Sequence, residues 1–120
     1  MIEWLKNRGG DISEDDWAKM GLFIGRKLTV DYKNIESSWL HKSRKRDVVR
    51  RIESASRIYR ELEILGDKRE FNGEIIEIYS KLADICSNWS IETDGLGHEG
   101  YKKRGKEFFE LYEEYQEIVN

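Results

Sequence analysis

Residues 41 to 65 read HKSRKRDVVRRIESASRIYRELEIL, and their spacing constrains the fold more than any other stretch of the chain. At about 100° per residue, Val48, Ile52, Ala55, Tyr59 and Leu62 fall on one side of a helix. Their 4, 3, 4, 3 spacing predicts a buried stripe. Lys42, Arg46, Arg50, Arg57 and Arg60 fall on the opposite side, interrupted mainly by Glu53. That side is a basic stripe about five turns long. If the helix begins by Ser38, Trp39 projects beside Lys42 and Arg46.

The chain holds no proline in 120 residues, where average usage of about 5% would supply roughly six. A long chain that avoids proline and keeps glycine to a few places reads as mostly helix. Apolar residues make up 38% and aromatics 12%, too many for a disordered chain. The single cysteine, Cys86, excludes an internal disulfide and fits a reducing compartment. The first residues, MIEWLKNRGG, lack the pattern of a secretory signal. No run approaches about 18 consecutive apolar residues. These features lead us to expect a cytoplasmic protein with no membrane segment, for which the sequon Asn88-Trp89-Ser90 carries no meaning.

Four amphipathic segments predict an all-α fold, a four-helix bundle with antiparallel neighbours in a single domain spanning residues 1–120. A short N-terminal arm or helix precedes it, anchored by Trp4 and Leu5 and broken at Gly9-Gly10. The first long helix is expected at about 13–33, with Ser13 as cap, three acids after it, and Trp17, Met20, Ile24 and Leu28 inward. The second is expected at 38–65, stopping at Gly66-Asp67. The third, at 69–91, carries the stripe Phe71, Ile75, Ile78, Leu82, Ile85 and Trp89. The fourth, at 100–119, buries Tyr101, Phe108, Leu111, Tyr112, Tyr115 and Ile118. Gly21 and Gly25 in the first helix are spaced for a close helix contact.

A net charge of −3 hides a split. Residues 41–60 hold eight Lys/Arg against two acids, a local +6, while the rest holds 13 against 22, a local −9. Such asymmetry bears on partners rather than on fold. The basic stripe, with Trp39, is the candidate partner-binding face. Its counterpart is an acidic face on the fourth helix formed by Glu107, Glu110, Glu114 and Glu117. Each face has a bland reading as an ordinary solvated surface. Opposite faces of two copies also offer a head-to-tail homo-oligomer contact.

Catalytic chemistry is thinly supplied. Gly95 to Gly100 formally matches GxGxxG, but a helix precedes it and the chain ends 20 residues later, so no βαβ unit fits. His41, His98 and Cys86 form no metal-ligand spacing. His98 beside Asp94 and Glu99 is the one candidate general base, and a loop histidine flanked by acids usually stays solvated. The arginine–histidine pair that marks small helical RNases of the HEPN type is absent. No cofactor and no metal are expected.

In size, charge and helix count the chain resembles small bacterial and phage proteins that block others, such as immunity proteins and inhibitors of defence systems. That resemblance is one of type, carried by no motif. It implies a non-enzymatic module that occupies another protein's surface. The alternative is a nucleic-acid-binding helical subunit whose residues 42–60 face phosphate, with strongly salt-dependent affinity.

Overall fold

The computed structural model describes residues 12–37, 42–92 and 97–119, and these form a four-helix bundle. The helices are α1 (Glu14–Ser37), α2 (Lys42–Lys68), α3 (Gly73–Glu92) and α4 (Gly97–Val119). The expected N-terminal arm with Trp4, and the candidate Trp39, lie outside the described residues.

The starts of α1 and α3 have local causes. The Ser13 hydroxyl accepts from the Asp16 N–H at 3.1 Å, and the Ser13 carbonyl opens the helical ladder at Trp17. Glu14, Asp15 and Asp16 then occupy the positive end of α1. At α3 the Asn72 side chain accepts from the N–H groups of Glu74 and Ile75, which satisfies two donors of the first turn. The Asn72 N–H itself donates to Glu14 at 2.7 Å, tying the start of α3 to that of α1.

The end of α2 departs from the expected stop at Gly66. The helix runs through that glycine to Lys68. Gly66 is buried because the Trp17 ring lies against it, so close that a Cβ would collide with the indole. Termination falls to Glu70, whose φ of 57° is left-handed. The Phe71 N–H donates to the Gly66 carbonyl and the Glu70 N–H to that of Asp67. This is a Schellman closure with glutamate in the position glycine usually fills. Elsewhere α1 continues through Asn34 to Ser37, the expected turn, and α4 begins at Gly97 within the expected loop.

Neighbouring helices run antiparallel. Trp17, Gly21 and Asp31 of α1 meet Leu62, Tyr59 and Arg51 of α2 respectively. Ser56 and Arg60 of α2 meet Ala83 and Ser80 of α3, and Leu22 of α1 meets Tyr112 of α4. Around the bundle α2 packs on α3, α3 on α4, and α4 on α1. The α1–α2 seam is the loosest. Consequently α2 and α4 stand at opposite corners.

The stripe expected on α2 is the core: Val48, Ile52, Ala55, Tyr59 and Leu62 are all buried. Ile75, Ile78 and Leu82 of α3 join it, as do Phe108, Tyr112 and Tyr115 of α4. Cys86 is buried as well. Phe71, Ile85, Leu111 and Ile118 are half-buried against this cluster. The side chains of Trp89 and Tyr101 lie outside the described part.

Candidate functional site

The two long faces of α1 set up the site. One faces α3 and α4 and carries Trp17, Gly21 and Gly25. Buried tyrosines hydrogen-bond its backbone there. The Tyr79 hydroxyl donates to the Trp17 carbonyl at 2.5 Å and lies 3.3 Å from the Gly21 N–H. It therefore stands between an i, i+4 pair of the α1 ladder. Tyr79 has one proton and gives it to Trp17, so Tyr115, 2.8 Å away, donates to Tyr79. Tyr59 and Tyr112 donate to the carbonyls of Gly21 and Leu22. Gly21 and Gly25 give the close approach their spacing suggests. A Cβ at Gly21 would lie 2.8 Å from the Tyr115 hydroxyl, and one at Gly25 would collide with the Tyr112 ring.

Desolvation sets the protonation of this cluster. Burial, reinforced by Tyr115, pushes the Tyr79 phenol far above its ordinary range. Burial pushes Tyr115 up to about 12, partly offset by the Gly21 N–H. These hydroxyls stay neutral near pH 7 and hold α1 in place.

The other face of α1 turns toward α2 and opens into a groove of about 680 Å³. Met20, Phe23, Ile24 and Leu28 line it from α1, and Ala55 and Ile58 from α2. Phe23 is 61% exposed, although it is a large aromatic in mid-helix. The Lys27 ammonium lies 4.6 Å from the centre of its ring, within range of a cation–π contact. Charged side chains rim the groove: Lys19, Lys27, Arg50 and Arg51, against Asp16 and Asp31.

Two of the four rim cations are held by acids. Arg51 makes a two-pronged contact with Asp31, Nε to Oδ2 at 2.9 Å and Nη2 to Oδ1 at 2.7 Å. The Asp31 side chain is only 9% exposed. Its hydrogen bond, more than burial opposes it, raises the Arg51 pKa above the usual guanidinium value. Lys19 pairs with Asp15 at 2.9 Å, an exposed i, i+4 pair. Such exposed pairs contribute little to stability.

The sequence-expected basic stripe divides on this scaffold. Arg50 is exposed on the groove rim and Arg57 is exposed on α2. Arg60 reaches Asp84 of α3 at 2.5 Å and its own helix neighbour Glu63 at 2.6 Å. Its hydrogen bonds to Asp84 and then to Glu63 raise its pKa. Lys42 and Arg46 belong to the first turns of α2, but their side chains lie outside the described part. On α4, Glu110, Glu114 and Glu117 are exposed and Glu107 is half-buried. With α2 and α4 at opposite corners, the described cations Arg50 and Arg57 stand on a helix that does not adjoin the acids of α4.

Phe23, Lys27, Arg51 and Asp31 escaped sequence reasoning. Phe23 sits one position away from Ile24 and outside the 17, 20, 24, 28 series, so it reads as an incidental surface residue. An apolar residue that breaks the stripe beside Met20 and Ile24 was the available signal. Arg51 projects between the apolar and basic sides of α2, and nothing local announces its distant partner Asp31.

Among the described residues no group of three or more His, Cys, Asp or Glu is placed to hold a metal ion. No described helix is long and apolar enough to cross a membrane. The bundle and its groove define a helical protein with an open apolar seam. No family model, curated protein or solved structure matches the chain.

Proposed function

We propose that the chain is a non-enzymatic protein-binding module that occupies a partner's surface with the face formed by α1 and α2. Inhibitors, immunity-type proteins and phage accessory proteins work in this way. The observation that carries the reading is the α1–α2 groove, an apolar seam with an exposed Phe23 at its edge. Exposed apolar surface rimmed by polar groups is the usual mark of an interaction site. Aromatic and arginine side chains, the types that dominate interface energetics, stand at this one.

Arg60 weighs against the nucleic-acid alternative. That reading needs its guanidinium to face phosphate, whereas Asp84 and Glu63 occupy it. The test is affinity capture from the native host with the wild-type chain, Phe23→Asp and Ile64→Asp. Ile64 is an equally exposed apolar residue of α2, 60% exposed and outside the groove. One stoichiometric protein retained by wild type and Ile64→Asp but lost with Phe23→Asp supports the reading. Nucleic acid as the captured species, or capture indifferent to Phe23, overturns it.

A further inference from the structure

The groove has a length, a floor and a rim, and together they describe an occupant. Along α1 its walls extend from Asp16 to Asp31. At about 1.5 Å per residue those fifteen steps span about 22 Å, or four helical turns. The floor is an apolar strip through Met20, Ile24 and Leu28, facing Ala55 and Ile58. Within those walls the apolar strip from Met20 to Leu28 spans about 12 Å, and half-buried Met20, Ile24 and Ile58 beside exposed Phe23 match about two turns of the apolar face of a helix. A small anion would instead need donors gathered at one point. A phosphate backbone would need a row of free cations rather than an apolar floor.

The rim gives the sign of the partner's charge. Asp15 pairs with Lys19, so four cations meet three acids and the groove is locally +1 on a chain whose net charge is −3. Both oxygens of Asp31 are already engaged by Arg51, so that acid offers little to a visiting cation. Lys19 is engaged by Asp15. The two remaining rim cations stand on opposite walls, Lys27 on α1 and Arg50 on α2. An apolar face with one cation on each side is complementary to a helix whose apolar stripe is bordered by acids on both edges.

We infer that the α1–α2 groove receives an amphipathic helix of a partner protein, about fifteen residues long, with acidic residues flanking its apolar face. This rests on the protein-binding reading above and names the partner's chemistry. Helix-in-groove recognition places anchors at i, i+3 or i+4, and i+7. Phe23, Met20 and Ile24 receive those anchors, and Lys27 and Arg50 select acids beside them. Charge pairs at such a rim tune specificity and encounter rate more than total affinity. The Phe23 contact therefore carries most of the strength.

The experiment is selection of a displayed library of 16-residue peptides on the full chain, followed by fluorescence titration of the enriched sequences at two salt concentrations. The expected winners have helical apolar spacing and net negative charge. Their affinity falls about 30-fold in Phe23→Asp, the scale of a lost aromatic anchor. In the Lys27→Glu/Arg50→Glu double variant they lose about tenfold, and selection on that variant returns basic peptides. All three substituted side chains are at or near solvent, and far-UV circular dichroism verifies that each variant is folded.

Absence of enrichment, basic or non-helical winners on the wild-type chain, or winners indifferent to Phe23 would each overturn the inference. A dodecanoate probe that fills the groove while no peptide is selected overturns it too, in favour of a small amphiphile. Failure here with Phe23-dependent capture of a host protein intact would reject the acidic helix alone. Failure of both would reject the protein-binding reading as well.

Discussion

The two long faces of α1 carry different side chains and are finished in opposite ways. Toward α3 and α4, Gly21 and Gly25 remove every obstacle, and the rings of Tyr79, Tyr115 and Tyr112 lie directly on the helix. Their hydroxyls reach its backbone, so no polar atom in that contact needs water. Toward α2 the residues at the corresponding turns are Met20, Phe23, Ile24 and Lys27, large enough to hold the helices apart. The first face is closed by small residues meeting aromatic ones. The second stays open where Met20, Phe23 and Ile24 face the small Ser54 and Ala55. Among the described residues Trp17–Leu62, Gly21–Tyr59 and Asp31–Arg51 bridge the seam by hydrogen bonds. Packing density, rather than hydrophobicity, separates the closed face from the open one.

The largest expected effect tests the closed face at its corner. Trp17 is fully buried, packs edge-on against Tyr79 at 5.1 Å, and donates its indole N–H to Leu62. Trp17→Ala should cost about 3–5 kcal/mol by urea denaturation. A loss below about 1 kcal/mol would mean that the corner is not the keystone described.

Next comes Gly25→Ala, which forces the Tyr112 ring off α1 and breaks its hydrogen bond to Leu22. Helix propensity alone would make alanine favourable by about 1 kcal/mol. Overpacking should win and leave a net loss of about 1–3 kcal/mol. A stabilised variant would show that the two faces are equally loose.

Tyr79→Phe removes a hydroxyl from the middle of the network, strands the Trp17 carbonyl and Tyr115, and should cost about 1–2 kcal/mol. It also carries a pH signature. The unfolded phenols titrate near pH 10, while in the fold Tyr115 is raised to about 12 and Tyr79 is raised further. Above pH 10 the unfolded chain therefore binds fewer protons than the folded one, and stability falls as pH rises. The slope is about 1.4 kcal/mol per pH unit for each tyrosine between pH 10 and 12, and there is no effect below. Denaturation midpoints across that window should decline in the wild type. In Tyr79→Phe they should decline less steeply, with Tyr115 and Tyr112 still raised by burial.

Phe23→Asp gives the smallest expected effect and the sharpest contrast. A residue 61% exposed on the open face should change stability by no more than about 0.5 kcal/mol, although it is the predicted binding anchor. A large thermal destabilisation would show that the groove is part of the core.

Much of the architecture was legible because one period repeats without interruption. Val48, Ile52, Ala55, Tyr59 and Leu62 were read as one buried face and are one buried face. Ser13 was read as a cap and is one. Gly66 misled for a physical reason: a glycine near a helix end has two uses, left-handed closure and close approach, and local sequence does not distinguish them. Here Trp17, far away in sequence, claims Gly66 for close approach, and Glu70 takes the left-handed turn. The same long-range logic hid Tyr79. One position beyond Ile78 on the stripe of α3, it looks peripheral until α1 and α4 arrive on either side of it.

By itself the sequence determined the helical class, the buried stripe of α2 and the uneven charge, because periodicity and composition are properties of the chain alone. Tertiary structure decided the uses of those features. It put Arg60 between α2 and α3 and Arg50 on an apolar seam, and it gave Arg51 a partner twenty residues away. A side chain's direction around its helix can be read from spacing. The neighbour that it meets depends on how closely two helices approach, and that distance is set by residues on both.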